Sequence, residues 1–276
     1  MMRPLGIGKK ELWRAGDAVI HAFFPPPLSC PACGQGFVPH FGVDLGICER
    51  CWKQLAFVSA PACRRCGKPL AGMEEAEPDP LCFDCRRRAR SFAWVRAVAV
   101  YDRALRDYLQ AVKYQGRMEL GLALGQLMAA HANLWPGLFK SHFIMPIPMS
   151  EAKRTRRGYN QAELLAVMVA RRLRRPLIID NLMRARETKK SAGLDPTARA
   201  VNLRGAFELR RPAEVGGKRV LLVDDIFTTG ATMDECARIL RGAGAEAVAG
   251  FVLAIGAGWT SAADADRDTL LDTAAS

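Results

Sequence analysis

The stretch Val220-Leu221-Leu222-Val223-Asp224-Asp225-Ile226-Phe227-Thr228-Thr229-Gly230-Ala231-Thr232 decides the fold. Its apolar start, from Arg219 to Val223, reads as a buried strand. Two carboxylates follow, and then a turn of hydroxyls and glycine opens a helix predicted over Thr229 to Arg241. The carboxyl end of such a strand is where open α/β sheets bind ligands. Free N–H groups and the dipole at the helix start attract a phosphate. Thr228, Thr229 and Thr232 add hydroxyl donors, Ala231 contributes its backbone, and Gly230 lets the backbone come close. Asp224 and Asp225 can accept hydrogen bonds from neighbouring ribose hydroxyls. The segment reads as a site for one sugar and one phosphate. The plain alternative is a pair of aspartates that only caps a helix.

Working outward, strands alternate with helices. Strands are predicted at Val95 to Tyr101, His142 to Ile147, Leu177 to Asp180 and Ala247 to Ile255. Helices are predicted at Glu119 to His131 and Gly158 to Leu173, the latter with apolar spacing near 3.6. This alternation predicts a parallel α/β sheet flanked by helices over residues 91–258. Residues 259–276 are small, polar and acidic and read as a disordered tail.

Toward the N-terminus the chemistry changes to sulfur. Eight of the nine cysteines form four Cys-x-x-Cys pairs: Cys30/Cys33, Cys48/Cys51, Cys63/Cys66 and Cys82/Cys85. Fourteen residues separate the first two pairs and fifteen the last two, an internal repeat with metal-site spacing. Each tight turn aims two thiolates at one point, and two turns complete a tetrahedral site with Zn–S about 2.3 Å. Residues 26–90 therefore read as a double zinc ribbon with two structural zinc sites. Iron–sulfur or redox use of the same cysteines is the weaker alternative. Spacing leaves sequential and interleaved pairing of the knuckles both open. His40 falls inside a set already complete, and Cys236, alone in a predicted helix, reads as a packed or surface thiol.

Charge and hydropathy narrow the partners. The net charge is +12, and it is concentrated between residues 91 and 219, which carry 24 Lys/Arg against 10 Asp/Glu. That excess favours an anionic partner, although a solvated basic surface explains it equally well. No apolar run reaches the roughly 18–20 residues of a membrane span. Residues 1–25 read as an amphipathic helix running into Pro25-Pro26-Pro27 without a cleavage signal, and the expected location is the reducing cytoplasm.

The segment from Val220 to Thr232 resembles the PRPP-binding motif of type I phosphoribosyltransferases. In that family the two acids hold the ribose hydroxyls, the second acts near the anomeric centre, and the threonine-glycine loop holds the 5′-phosphate. The resemblance assigns those roles to Asp224, Asp225, Thr228, Thr229, Gly230 and Thr232. Pro146-Ile147-Pro148, Arg154 and Arg157-Gly158-Tyr159-Asn160-Gln161-Ala162-Glu163 resemble the signature of the ComF family. Lys113-Tyr114-Gln115-Gly116-Arg117, together with Arg186, Thr188, Leu194, Arg199, Asn202 and Phe207, is similar to further elements of it. In that family a double zinc ribbon precedes a phosphoribosyltransferase domain, and members are linked to natural transformation. Ser191 stands where the family usually has Gln, in the loop expected to close over PRPP.

The resemblance implies a pyrophosphate cradle at Pro146 and Pro148, with Arg154, Arg157, Lys189 and Lys190 as candidate cations. Mg²⁺ would arrive on the PRPP oxygens rather than in a protein cage. Two functions compete. One is phosphoribosyl transfer from PRPP to an acceptor that the sequence does not name. The other is a non-catalytic competence factor that binds single-stranded DNA or a DNA-processing protein such as a helicase through its ribbons, with the PRPP pocket as a sensor. A pure scaffold ranks last, because it makes the Asp-Asp and Thr-Thr-Gly motif an accident.

Overall fold

The computed structural model describes residues 29–37, 46–70, 79–188 and 196–256. The N-terminal helix expected over 1–25, the tail, Lys189, Lys190 and Ser191 lie outside those residues. Among the described residues no helix is long and apolar enough to cross a membrane.

Four parallel strands form the central sheet: β1 (Trp94–Val100), β2 (Phe143–Pro146), β5 (Arg219–Phe227) and β6 (Ala247–Ile255), in the order β1-β6-β5-β2. The two inner strands are buried on both faces, which is why they read as continuous apolar runs. A small antiparallel pair, β3 (Leu182–Arg184) with β4 (Phe207–Leu209), stands apart from the sheet.

Helices α1 (Arg103–Tyr114), α2 (Met118–His131) and α4 (Gln161–Leu173) bury Leu109, Leu124 and Val169 with Leu221 and Val223 of β5. Helix α6 (Ala231–Gly242) buries Cys236, Ala237 and Leu240 with Val220 and Leu222, in a second core cluster. The period-2 alternation of β5 thus divides its side chains between two cores.

Several boundaries differ from the sequence reading. Strand β5 continues four residues beyond Val223, through both aspartates to Phe227. Acidic residues normally end a strand, but here Lys113 and a cleft receive them. The helix predicted from Gly158 begins three residues later, at Gln161, and a short helix that was not predicted precedes it. Short helix α3 (Glu151–Arg157) ends at left-handed Gly158, and α4 then starts afresh, capped by the Asn160 side chain on Ala162 N–H at 3.1 Å. The strand expected at Leu177 to Asp180 is reduced to a single bridge between Leu177 and Ile144. Helix α1, which the sequence reading passed over, is strongly amphipathic and capped by Asp102 on Leu105 N–H.

The ribbons are built into both cores. Cys30, Cys48 and Cys51 join the cluster of α1 and α2, and the Arg117 guanidinium fastens the Pro31 carbonyl at 2.6 Å. Cys63, Cys66, Cys82 and Cys85 join the cluster of α6 with Phe92 and Phe227. The segment between the two ribbons runs antiparallel along the free edge of β1. Val58 N–H donates to Val98 and Val100 N–H to Ala56, while Val95 N–H reaches Arg65 at 2.7 Å. An edge strand that would present bare backbone groups is thereby covered.

Candidate functional site

The Asp224–Thr232 segment begins where the β2–β5 ladder ends, beside Pro146, the partner of Val223, while β5 stays paired with β6 to Phe227. Ile147 N–H donates to the Val223 carbonyl at 2.8 Å, and Asn160 Nδ2 donates to the Ile147 carbonyl at 2.9 Å. The Pro146–Pro148 turn is therefore held on both sides, next to the aspartates.

The strand pleat sends adjacent residues to opposite faces. Asp225 goes to the face of Leu221 and Val223, where Lys113 at the end of α1 forms an ion pair with it. Burial pushes the Asp225 carboxyl up, but the Lys113 ammonium outweighs it and holds the group below the usual aspartate value. Lys113 responds in the opposite sense: burial lowers its amine, and Asp225 more than restores it. Asp224 takes the face of α6 and lines a cleft of about 100 Å³ with Thr228, Thr229, Gly230 and Thr232. Burial, and then the charge of Asp225, pushes its carboxyl well above the ordinary value. Fully buried Cys236 lies under this face. Burial raises its thiol, as does the charge of Asp224, so it is a packed thiol.

Gly230 starts α6 with φ 77°, the left-handed region. A Cβ there would run into the Phe227 ring, so the position demands glycine for conformation and for space. The first residues of α6, Ala231, Thr232 and Met233, line the cleft, and the first amides of a helix have no carbonyl partner within it. The Ala231 N–H is weakly held by the Thr229 hydroxyl at 3.4 Å.

Of the cations expected here, Arg154 turns away, gripping Glu163 at the start of α4 at 2.6 and 3.2 Å. Arg157 bonds the Gln161 side chain and lies 5.7 Å over the ring of Tyr114, which is 72% exposed. Lys189 and Lys190 fall outside the described residues. The sequence reading missed Lys153, on the exposed side of α3. Loss of hydration, then Arg184, Arg157 and Lys113, hold its amine below the usual lysine value against the pull of Glu187. Only contact across three separate elements makes this group visible. Lys113 was noticed as part of a motif, but its bond to Asp225 depends on how α1 packs.

The eight cysteines resolve into two sequential sets, Cys30/Cys33/Cys48/Cys51 and Cys63/Cys66/Cys82/Cys85, with the sulfurs of each set within 4.8 Å of one another. Four converging thiols, with no fifth His, Cys, Asp or Glu donor among the described residues, suit a closed tetrahedral zinc site. Cys48 N–H points at Cys30 Sγ at 3.2 Å. Bonds of this kind support a thiolate ligand.

The double zinc ribbon domain family matches residues 19–88, and the phosphoribosyl transferase domain family matches residues 160–271. Competence protein F of Haemophilus influenzae is 31% identical over 207 residues, covering 74% of this chain and 87% of that protein. The chain belongs to the competence protein F family. Other relatives include the DNA utilization protein YhgH of Escherichia coli, 29% identical over 74% of this chain and 94% of its own length. Competence protein ComFC of Bacillus subtilis is 29% identical over 76% of this chain and 84% of its own. In this family member the parallel sheet is of the phosphoribosyltransferase kind, and the cysteine clusters are zinc ribbons.

Proposed function

We propose that the cleft holds a 5-phosphoribosyl ligand, PRPP with Mg²⁺, and that the protein serves DNA uptake in natural transformation. The names of its relatives point to that process. One observation carries the ligand reading: Asp224, near the carboxyl end of a central parallel strand, lines one cleft with Thr228, Thr229 and the residues that open a glycine-started helix. In this reading the Thr228–Thr232 loop takes the 5′-phosphate. Asp224, which lines the cleft, accepts from a ribose hydroxyl; the role of Asp225 at the neighbouring hydroxyl rests on the family resemblance alone, since its carboxylate pairs with Lys113 on the other face of β5. Lys153 and Arg157 supply positive charge where pyrophosphate would lie, next to the Pro146–Pro148 turn. Mg²⁺ would neutralise the ligand's pyrophosphate charge.

Transfer to an acceptor and ligand sensing by a DNA-binding factor share this binding step. Arg64, Arg65, Arg86, Arg87 and Arg88 on the second ribbon offer charge to single-stranded DNA or a DNA-processing partner in the second reading. The decisive experiment is calorimetric titration of PRPP with Mg²⁺ into the zinc-loaded chain and its Asp224→Asn/Asp225→Asn variant. Saturable binding that weakens at least about a hundredfold in the variant is expected, from the loss of two charge-assisted bonds. A folded wild-type protein that takes up no PRPP would sink the proposal.

A further inference from the structure

A second cleft, of about 250 Å³, lies on the other side of the phosphate loop and shares Thr229 and Ala231 with the first. Its walls are the chain leaving the second ribbon, helix α5 (Pro196–Leu203) with the residue after it, and the first turns of α6. Four guanidinium groups line it (Arg88, Arg90, Arg204 and Arg238) against two carboxylates, Asp234 and Glu235.

Both carboxylates are already committed. Glu235 is gripped by Arg238 at 2.7 and 2.8 Å and accepts the Gly205 N–H at 2.8 Å. Asp234 accepts the Ser91 N–H at 2.6 Å, and its other oxygen lies 4.0 Å from Arg90. Arg90 is therefore a buried cation short of an anion. Its side chain is only 7% exposed, and its Nε–H has no acceptor among the described residues. Its remaining bond runs to the Thr229 carbonyl at 3.2 Å. That is long for a charged donor. Arg204 is exposed; its charge helps to lower the Glu235 carboxyl, but no direct ion pair holds it among the described residues. A buried guanidinium without adequate compensation is costly, and an arriving oxyanion would supply what is missing.

We propose that this cleft is a second anion site, taking a phosphate group, separate from the loop expected to hold the ribose 5′-phosphate. Flat guanidinium forks suit the tetrahedral oxygens of a phosphate ester. Arg90 forms the floor and Arg204 the open wall. The bond from Arg90 to the Thr229 carbonyl places this cleft beside the phosphate loop. The site goes beyond the phosphoribosyl reading and stands without it.

The test is NMR titration of the zinc-loaded full chain with inorganic phosphate, following the buried Arg90 Nε–H signal and the Thr232 backbone amide. Both signals are expected to move, each with its own midpoint. Arg204→Ala, a change at an exposed position, should weaken the Arg90 response by about tenfold or more and leave the Thr232 response alone. Thr232→Ala should weaken loop binding and leave the Arg90 midpoint unchanged. The proposal is overturned if Arg90 is silent at phosphate levels that saturate the loop, or if Arg204→Ala leaves its midpoint unchanged while the variant melts like the wild type. A moving Arg90 with a silent Thr232 would instead sink the loop reading and leave this site standing. A short oligothymidylate as competitor identifies the source of the phosphate. Displacement from the Arg90 class marks polymer diesters, and no displacement marks small phosphate esters.

Discussion

Asp224 and Asp225 are one peptide unit apart, and the pleat gives them opposite electrostatic fates. Asp225 gains a lysine and is held ionised; Asp224 gains a cleft and a like charge and is held toward its protonated form. The sign of each contribution to stability follows. A carboxyl with a lowered folded-state pKa stabilises above the ordinary range, and the benefit fades as pH falls through its folded value. A carboxyl with a raised folded-state pKa keeps a proton that the unfolded chain has released. It therefore costs stability increasingly as pH rises from 3.8, the ordinary aspartate value, toward its folded value. Asp224→Asn should consequently melt higher than the wild type at pH 7, by about 2–4 °C for each kcal/mol recovered in a chain of this size. The gain should vanish below the ordinary aspartate range, and PRPP binding should weaken in the same variant. Thermal melts across the acid-to-neutral range check this, and a variant that melts lower at every pH counts against the assignment. The sequence displayed both carboxylates but not their difference, because Lys113 stands far back in the chain and meets Asp225 only through the packing of α1.

Among the elements, β6 was legible from its first to its last residue, because a strand buried on both faces writes an unbroken apolar run. The end of β5 was not, since charge reads as loop until its partners are known. Helix α3 was hidden for another reason: Glu151 to Arg157 buries no side chain, so it leaves no apolar stripe to find. The glycine of the phosphate loop was recognised as permissive, but its tight fit against a ring was not visible. Phe227 is pinned by Phe92, with ring centroids 6.0 Å apart at 78°, so it has little room to yield. Gly230→Ala should combine a left-handed alanine, costing about 1–2 kcal/mol, with displacement of that ring. We expect PRPP affinity to fall at least tenfold and the melting temperature to drop by several degrees. Calorimetry beside a thermal melt checks both, and wild-type affinity in this variant would remove the loop from the proposed site.

At the scale of the whole molecule, the ribbons are structural members of the fold. The Cys-x-x-Cys spacing announced two zinc sites, but it could not announce that each would pack against a different face of the sheet. The second cluster sits in one core with Phe92, Phe227, Ala231 and Met233, directly behind the phosphate loop. Structural zinc sites contribute on the order of 10 kcal/mol of binding free energy, and small ribbons do not hold their shape without it. Cys66→Ser should thus retain one zinc per chain and lose PRPP binding together with thermal stability. Cys33→Ser, in the partly exposed first cluster, should also retain one zinc but keep more of the binding. Zinc content by atomic absorption beside PRPP calorimetry measures both effects. Equal loss in the two variants would show that the second ribbon has no special connection to the loop.

The covered edge of β1 bears on the order in which the chain is made. Its sheet neighbour β6 is the last strand among the described residues, and Ala97 must wait for Val252. The segment that pairs with its other edge, Ala56 to Val58, comes earlier in the chain, where Val58 meets Val98. A chain emerging from the ribosome therefore completes the ribbons first and carries a ready backbone partner for β1 while the rest of the sheet is still unsynthesised. During that interval the early local pairing shields a β-branched strand from other nascent chains, and it gives a fold dominated by late, distant contacts a place to begin.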